Sequence, residues 1–191
     1  VNMLKYIIVI IISAIVSYLL GSFNSSIISV KLLKGEDIRR FGSGNAGLTN
    51  ALRCFGKLPA LFTLIGDLLK GVIAVFICKF ICILLDAGIG VDGDIRYIGY
   101  IAGLFAVIGH IFPIYYGFKG GKGVLVGVSV FIVIDPAVFG ILICIFAVTL
   151  LLTHYVSVSS VRHTHYTPDC ALLPVPESSY SFHTSLSLIH I

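Results

Sequence analysis

Four stretches of this chain are too long and too apolar for an ordinary water-soluble domain. Residues 6–21, 97–118, 123–134 and 136–153 hold no Asp, Glu, Lys or Arg. A helix needs about 20 mostly apolar residues to cross the hydrocarbon core of a bilayer, and four regions qualify: 4–24, 60–85, 97–116 and 124–152. The last is interrupted by Asp135-Pro136, a step that predicts a kink or a turn between two shorter helices. Only 12% of residues are charged, about half the share found in soluble domains. The expected fold is therefore all-α, a polytopic transmembrane helical bundle.

The first apolar run has a single basic residue before it, Lys5, and no small-x-small cleavage site after it, so a retained helix is expected rather than a signal peptide. Five cysteines, at 54, 78, 82, 144 and 170, form no C-x-x-C pair. Cys78 and Cys82 share a helix face and are read as small apolar residues inside the bundle. No metal site is implied, and the His163-x-His165 spacing in the tail is too thin to make one.

The net charge of +4 points to a membrane side rather than to nucleic acid, because basic residues concentrate in cytoplasmic loops. Lys31, Lys34, Arg39, Arg40, Arg53 and Lys57 lie between the first two apolar regions, against Glu36 and Asp37. The next connection holds Asp86, Asp92 and Asp94 with Arg96, and the third holds Lys119 and Lys122 without an acid. Alternation then puts the N-terminus outside and both basic, glycine-rich connections on the cytoplasmic side.

Those two connections imitate nucleotide-binding motifs. Gly42, Gly44 and Gly47 have the G-x-G-x-x-G spacing of a dinucleotide fingerprint, yet that motif needs a buried strand before it, and here a membrane helix and a basic connection precede it. The segment GFKGGKGV at 117–124 fails the P-loop spacing, since Gly117 and Gly121 enclose three residues and Gly123 follows Lys122. Their shared physics survives the failed patterns. Glycines let successive backbone N–H groups converge on an anion, and neighbouring lysines neutralise it.

The candidate anion site combines Gly42, Ser43, Gly44, Asn45, Gly47, Thr49, Asn50 and Arg53 from the first connection with Lys119, Gly120, Gly121, Lys122 and Gly123 from the second. Hydroxyl and amide groups of the first suit a phosphate or a glycerol hydroxyl. Asp67 and Lys70, three apart in GDLLKG, are expected on one face of the second span, because charges in a membrane helix pair or line a polar cavity. That pair is either a structural ion pair or an anion site with Lys70 as ligand and Asp67 as its orienting partner. His110, before the Phe-Pro break in GHIFP, is either a base or a hydrogen-bonded brace at the helix end.

In this order, GSGNAGLTNALR, DLLKG and GHIFPIYYGFKGGKGV resemble the three signature regions of the bacterial acyl-phosphate:glycerol-3-phosphate acyltransferases, the PlsY type. The likeness begins at LLGSFNSS and runs to about residue 160. It implies a multi-pass enzyme of the bacterial inner membrane, with a seven-span bundle and signature loops meeting at the cytoplasmic surface. No cofactor is implied. The reaction implied is transfer of a fatty acyl group from acyl phosphate to the first hydroxyl of glycerol 3-phosphate, giving lysophosphatidate and phosphate. By position, the family's functional residues fall on Ser43, Arg53 and Lys122, with Ser43 expected to hydrogen-bond rather than to act as a nucleophile. Arginine and lysine suit two phosphate-bearing substrates independently of the likeness. A rival from another class is a membrane anion (phosphate) channel or transporter whose pore the same loops guard, and a pure scaffold leaves the clustered cations unexplained.

Residues 161–191 depart from the pattern, being rich in Ser, Thr, His, Pro and Tyr without a spanning run. The resemblance implies further apolar helices and a basic tail with a His-x-x-Asn motif, and neither follows here. The expectation is a membrane domain over 1–160, a bundle incomplete relative to the family, and a polar tail from a truncated or frameshifted reading frame.

Overall fold

The computed structural model describes residues 3–85 and 94–153. Every secondary-structure element among them is helical: α1 (Met3–Ser22), α2 (Ser25–Lys34), a short 3-10 turn (Ile38–Arg40), α3 (Leu48–Phe55), α4 (Lys57–Leu84), α5 (Asp94–Ile111), a second 3-10 turn (Ile114–Tyr116), α6 (Val124–Ile134) and α7 (Pro136–Thr153). The expected 161–191 tail lies outside the described residues.

The burial pattern inverts that of a soluble bundle. Along α1, Val9, Ser13, Ser17 and Gly21 are buried at a spacing of four, while Ile7, Ile8, Ile11, Ile15 and Leu19 face outward. Along α4, Thr63, Asp67, Lys70, Ala74 and Cys78 are buried, and Leu61, Ile65, Leu69, Ile73, Phe76 and Phe80 are exposed. Large apolar side chains outside and small or polar ones inside are what a lipid solvent favours, since close backbone approach and hydrogen bonds replace hydrophobic burial as the packing force. Glycine permits that approach where α1 meets α5: a Cβ on Gly21 would strike the carbonyl of Ala106, and one on Gly109 the carbonyl of Tyr18.

Met3–Lys34 and Arg96–Tyr116 are long and apolar enough to cross a bilayer by length and composition. The third expected region is helical only to Ile111, because Pro113 cannot continue the ladder. The fourth splits at Asp135, which leaves helical geometry at φ −150° and caps α7 through Oδ1. The second is longer than a span requires. At 28 residues α4 is about 42 Å long against a hydrocarbon core of about 30 Å, and its first turns pack with α2 and α3 around Ile27, Val30, Ile38, Ala46, Ala51 and Ala60. A separate cluster of Val9, Val75, Cys78, Cys82, Ile98, Ala102, Val130 and Ile134 joins α1, α4, α5 and α6. The expected burial of Cys78 and Cys82 is what the structure has.

Candidate active site

The chain between α1 and α3 is organised by three polar residues. Asn24, fully buried, caps α2 by accepting from the backbone N–H of Ser26 and Ile27 at 3.1 Å each, and its Nδ2 donates to the Ala46 carbonyl at 3.4 Å. The Arg39 guanidinium donates to both Asp37 oxygens, closest at 2.7 Å, and through Nη1 to the Tyr116 carbonyl at 2.6 Å. Burial acts to raise the Asp37 carboxyl, but the hydrogen bonds and charge of Arg39 outweigh it and hold the group below its ordinary value. Asn50 closes the glycine loop from within. Its Nδ2 donates to the carbonyls of Ile38, Phe41 and Asn45, and its Oδ1 accepts from the Ser43 N–H at 3.2 Å.

Gly42 and Gly44 stand at φ +57° and +69°, a region that a side chain disfavours. Gly47 precedes α3 and supplies no side-chain cap, so the first backbone N–H groups of that helix remain open beside exposed Ser43 and Thr49. The second loop repeats the device. Gly123, at φ +75°, precedes α6 without a side-chain cap. Gly120 N–H donates to the Ile111 carbonyl and Gly121 N–H to that of His110, both at 3.1 Å.

The two loops touch. Ala46 N–H donates to the Gly120 carbonyl at 3.4 Å, and a Cβ on Gly121 would strike both Ala46 O and the His110 ring. Arg53, Lys119 and Lys122 are exposed and make no ion pair among the described residues. Ser43 Oγ accepts a long 3.5 Å contact from the Asn45 N–H and meets no histidine or carboxylate among the described residues.

Beneath the loops, at the middle of α4, lies a buried polar triad. Lys70 Nζ is 2.9 Å from Asp67 Oδ1, 2.6 Å from His110 Nδ1 and 3.2 Å from the Phe23 carbonyl. The aspartate contact is an ion pair rather than a directed hydrogen bond, since Oδ1 finds no partner of suitable angle. All three residues are at most 7% exposed.

Of the residues picked out in sequence, the structure brings the loops and His110 together, and leaves Arg53, Lys119 and Lys122 open. Six differ in what their polar groups are used for: the N–H groups of Gly44, Gly47, Gly120 and Gly121 donate to the carbonyls of Phe41, Asn45, Ile111 and His110, so these four shape the loops rather than offer donors to an anion. Lys70 is ringed by three protein groups, Asp67 Oδ1, His110 Nδ1 and the Phe23 carbonyl, so a phosphate would have to displace one of them. The Asn50 amide is taken up by loop backbone and is 3% exposed, so it shapes the nest rather than lining it. Asp37, Arg39 and Asn24 were not among the site residues read from sequence. An Asp-x-Arg spacing and an Asn before a serine-rich helix start were the available signals.

The described residues form an all-helical membrane bundle in which two glycine loops, each leading into a helix without a side-chain cap, meet and carry exposed cations. A family model described as glycerol-3-phosphate acyltransferase matches residues 11–191. The glycerol-3-phosphate acyltransferase of Clostridioides difficile strain 630 is 42% identical over 151 residues, covering 79% of this chain and 71% of the relative. That of Ureaplasma urealyticum serovar 10 is 39% identical over 180 residues, covering 93% and 71%. That of Pelodictyon phaeoclathratiforme is 42% identical over 147 residues, but this chain spans only 62% of its length. Among solved structures, PlsY (YgiH), an integral membrane glycerol 3-phosphate acyltransferase, matches in its glycerol 3-phosphate form with TM-score 0.62 and 34% identity, covering 79% of this chain and 70% of that one. Its lysophosphatidic acid form matches with TM-score 0.58 and 30% identity. The chain belongs to the glycerol-3-phosphate acyltransferase family.

Proposed function

We propose that this chain transfers a fatty acyl group from acyl phosphate to the sn-1 hydroxyl of glycerol 3-phosphate in the bacterial plasma membrane, the first step of phospholipid synthesis. The observation that carries the reading is the Ala46–Gly120 junction, which ties the loop leading into α3 to the loop leading into α6, with exposed Lys119 and Lys122 on the second loop and exposed Arg53 on α3. Both substrates carry phosphate, and a solved relative is described in glycerol 3-phosphate and lysophosphatidic acid forms. N-termini, glycine nests and guanidinium groups are the elements that bind such anions.

The donor is a mixed anhydride, so its leaving group is already good. The glycerol hydroxyl oxygen attacks the acyl carbonyl carbon, the carbonyl carbon–phosphate oxygen bond breaks, and the displaced phosphate leaves with the hydroxyl proton in the net balance. Holding alcohol and carbonyl together while stabilising the oxyanion and departing phosphate supplies the rate. Arg53 and Lys122 clamp phosphate with Lys119 beside them, Ser43 and Thr49 hydrogen-bond substrate oxygens, and the open N–H groups that follow Gly47 and Gly123 face the anion, while Gly42, Gly44, Asn45, Gly120 and Gly121 set the course of the two loops. The site faces the cytoplasm and the N-terminus lies outside.

The full chain, purified and supplied with acyl phosphate and glycerol 3-phosphate, is expected to release phosphate in step with lysophosphatidate. Arg53→Ala and Lys122→Ala should each lower kcat/KM about 10- to 100-fold, as loss of a charge-assisted hydrogen bond does, with unchanged thermal unfolding. Full activity in both variants, or phosphate flux across liposomes without acyl consumption, would refute the assignment.

A further inference from the structure

Lys70 decides the protonation pattern of His110. An ammonium group has three donors and no acceptor, and that is the form in which Lys70 makes its ion pair with Asp67 at 2.9 Å. At 2.6 Å from Nζ, Nδ1 of His110 must therefore accept, because an N–H there would face another donor. The ring proton then sits on Nε2. Asp67 Oδ1, 3.6 Å from Nδ1, balances the lysine charge without competing for the ring.

Nε2 lies where the two loops meet. A Cβ on Gly121 would collide with Nε2 and Cε1 of His110 and with the Ala46 carbonyl, so this edge of the ring borders the Ala46–Gly120 junction. Nε2 has no hydrogen-bond partner among the described residues. Accepting from a cation at Nδ1 also polarises the ring, so the opposite N–H is a stronger donor than that of an isolated imidazole.

We infer that His110 is a fixed hydrogen-bond donor and not a base: Lys70 holds the Nε2–H tautomer, which presents its proton to an anionic oxygen bound at the junction of the two loops. That oxygen belongs to a substrate phosphate or to the oxyanion formed at the acyl carbonyl. Lys70 and Asp67 are positioning residues acting through His110. The functional half of this inference rests on the acyl-transfer reading, whereas the tautomer does not.

The full chain, labelled with 15N-histidine, is the probe for the tautomer. All other histidines lie at or beyond residue 154, and the His110 signal is the one lost in His110→Gln. A protonated Nε2 with an unprotonated Nδ1 is expected, and a protonated Nδ1 overturns the inference whether or not the chain is an acyltransferase. Kinetically, His110→Ala should lose about 10- to 100-fold in kcat/KM. His110→Gln, which keeps a donor amide but cannot act as a base, should recover most of that loss. A rise in KM for glycerol 3-phosphate places the donor on the substrate phosphate, and a fall in kcat places it on the oxyanion. Glutamine as damaging as alanine, with both variants folded by thermal unfolding, would make His110 a base. An alanine variant as active as the parent would leave the ring only structural, and either result rejects the donor role.

Discussion

Arg39 ties two connections that lie 77 positions apart, since one guanidinium grips Asp37 on its own turn and the Tyr116 carbonyl across the fold. The pair keeps 27% and 29% of its side-chain surface exposed, so solvent screening limits its worth to about 0.5–1 kcal/mol. Because the folded Asp37 carboxyl is held below its ordinary value, its contribution is complete above the unfolded pKa of about 3.9 and is lost as pH falls through the lower folded value. Asp37→Asn should lower the melting temperature in detergent at pH 7, and the gap from the parent should narrow below about pH 4. A gap that stays constant down to pH 3 would show that the ion pair is not its source. At this scale the sequence marked His110, Lys70 and Asn50 as polar groups of interest. It left open whether each was free, since hydrogen-bond saturation depends on neighbours distant in the chain.

Helix ends were only partly legible. The Asp135-Pro136 break is local chemistry, with a side-chain acceptor for Ala137 and Val138 followed by a residue lacking a donor, and it appears where the sequence implied. The basic connection hid α2, whose start is capped by Asn24 and whose end is Gly35 at φ +73°, because its last turn carries Lys31 and Lys34 and so merges with the charged loop in composition. The two caps differ in consequence. Asp135→Ala should cost about 0.5–2 kcal/mol, the usual value for a cap. Asn24→Ala should cost more, about 2–4 kcal/mol, since it also leaves buried groups at Ser26, Ile27 and Ala46 without a partner. Unfolding in detergent compares the two directly, and equal losses would contradict the bridging role of Asn24.

For the molecule as a whole, the glycine loops sit together at one end of the bundle, and α4 extends past the length of a span to carry α2 and α3 there. The proposed orientation, argued from the charge pattern, predicts that this end faces the cytoplasm. In a background with the five native cysteines replaced by alanine, Lys57→Cys and Lys119→Cys should react with an impermeant maleimide only after the membrane is opened. Tyr97→Cys should react in intact cells. Labelling of 57 and 119 from opposite sides would remove the shared cleft.

The chain alone settled that this is a helical membrane bundle with two cationic glycine loops, because hydropathy, charge and glycine spacing are local properties that neighbours do not alter. Tertiary packing decided which polar groups are engaged inside and which stay open: Lys70 meets His110 across 40 positions, while Arg53, Lys119 and Lys122 remain at the surface. A side chain's chemistry is written in its formula, but its availability is set by the acceptors and donors that the fold brings within about 3 Å.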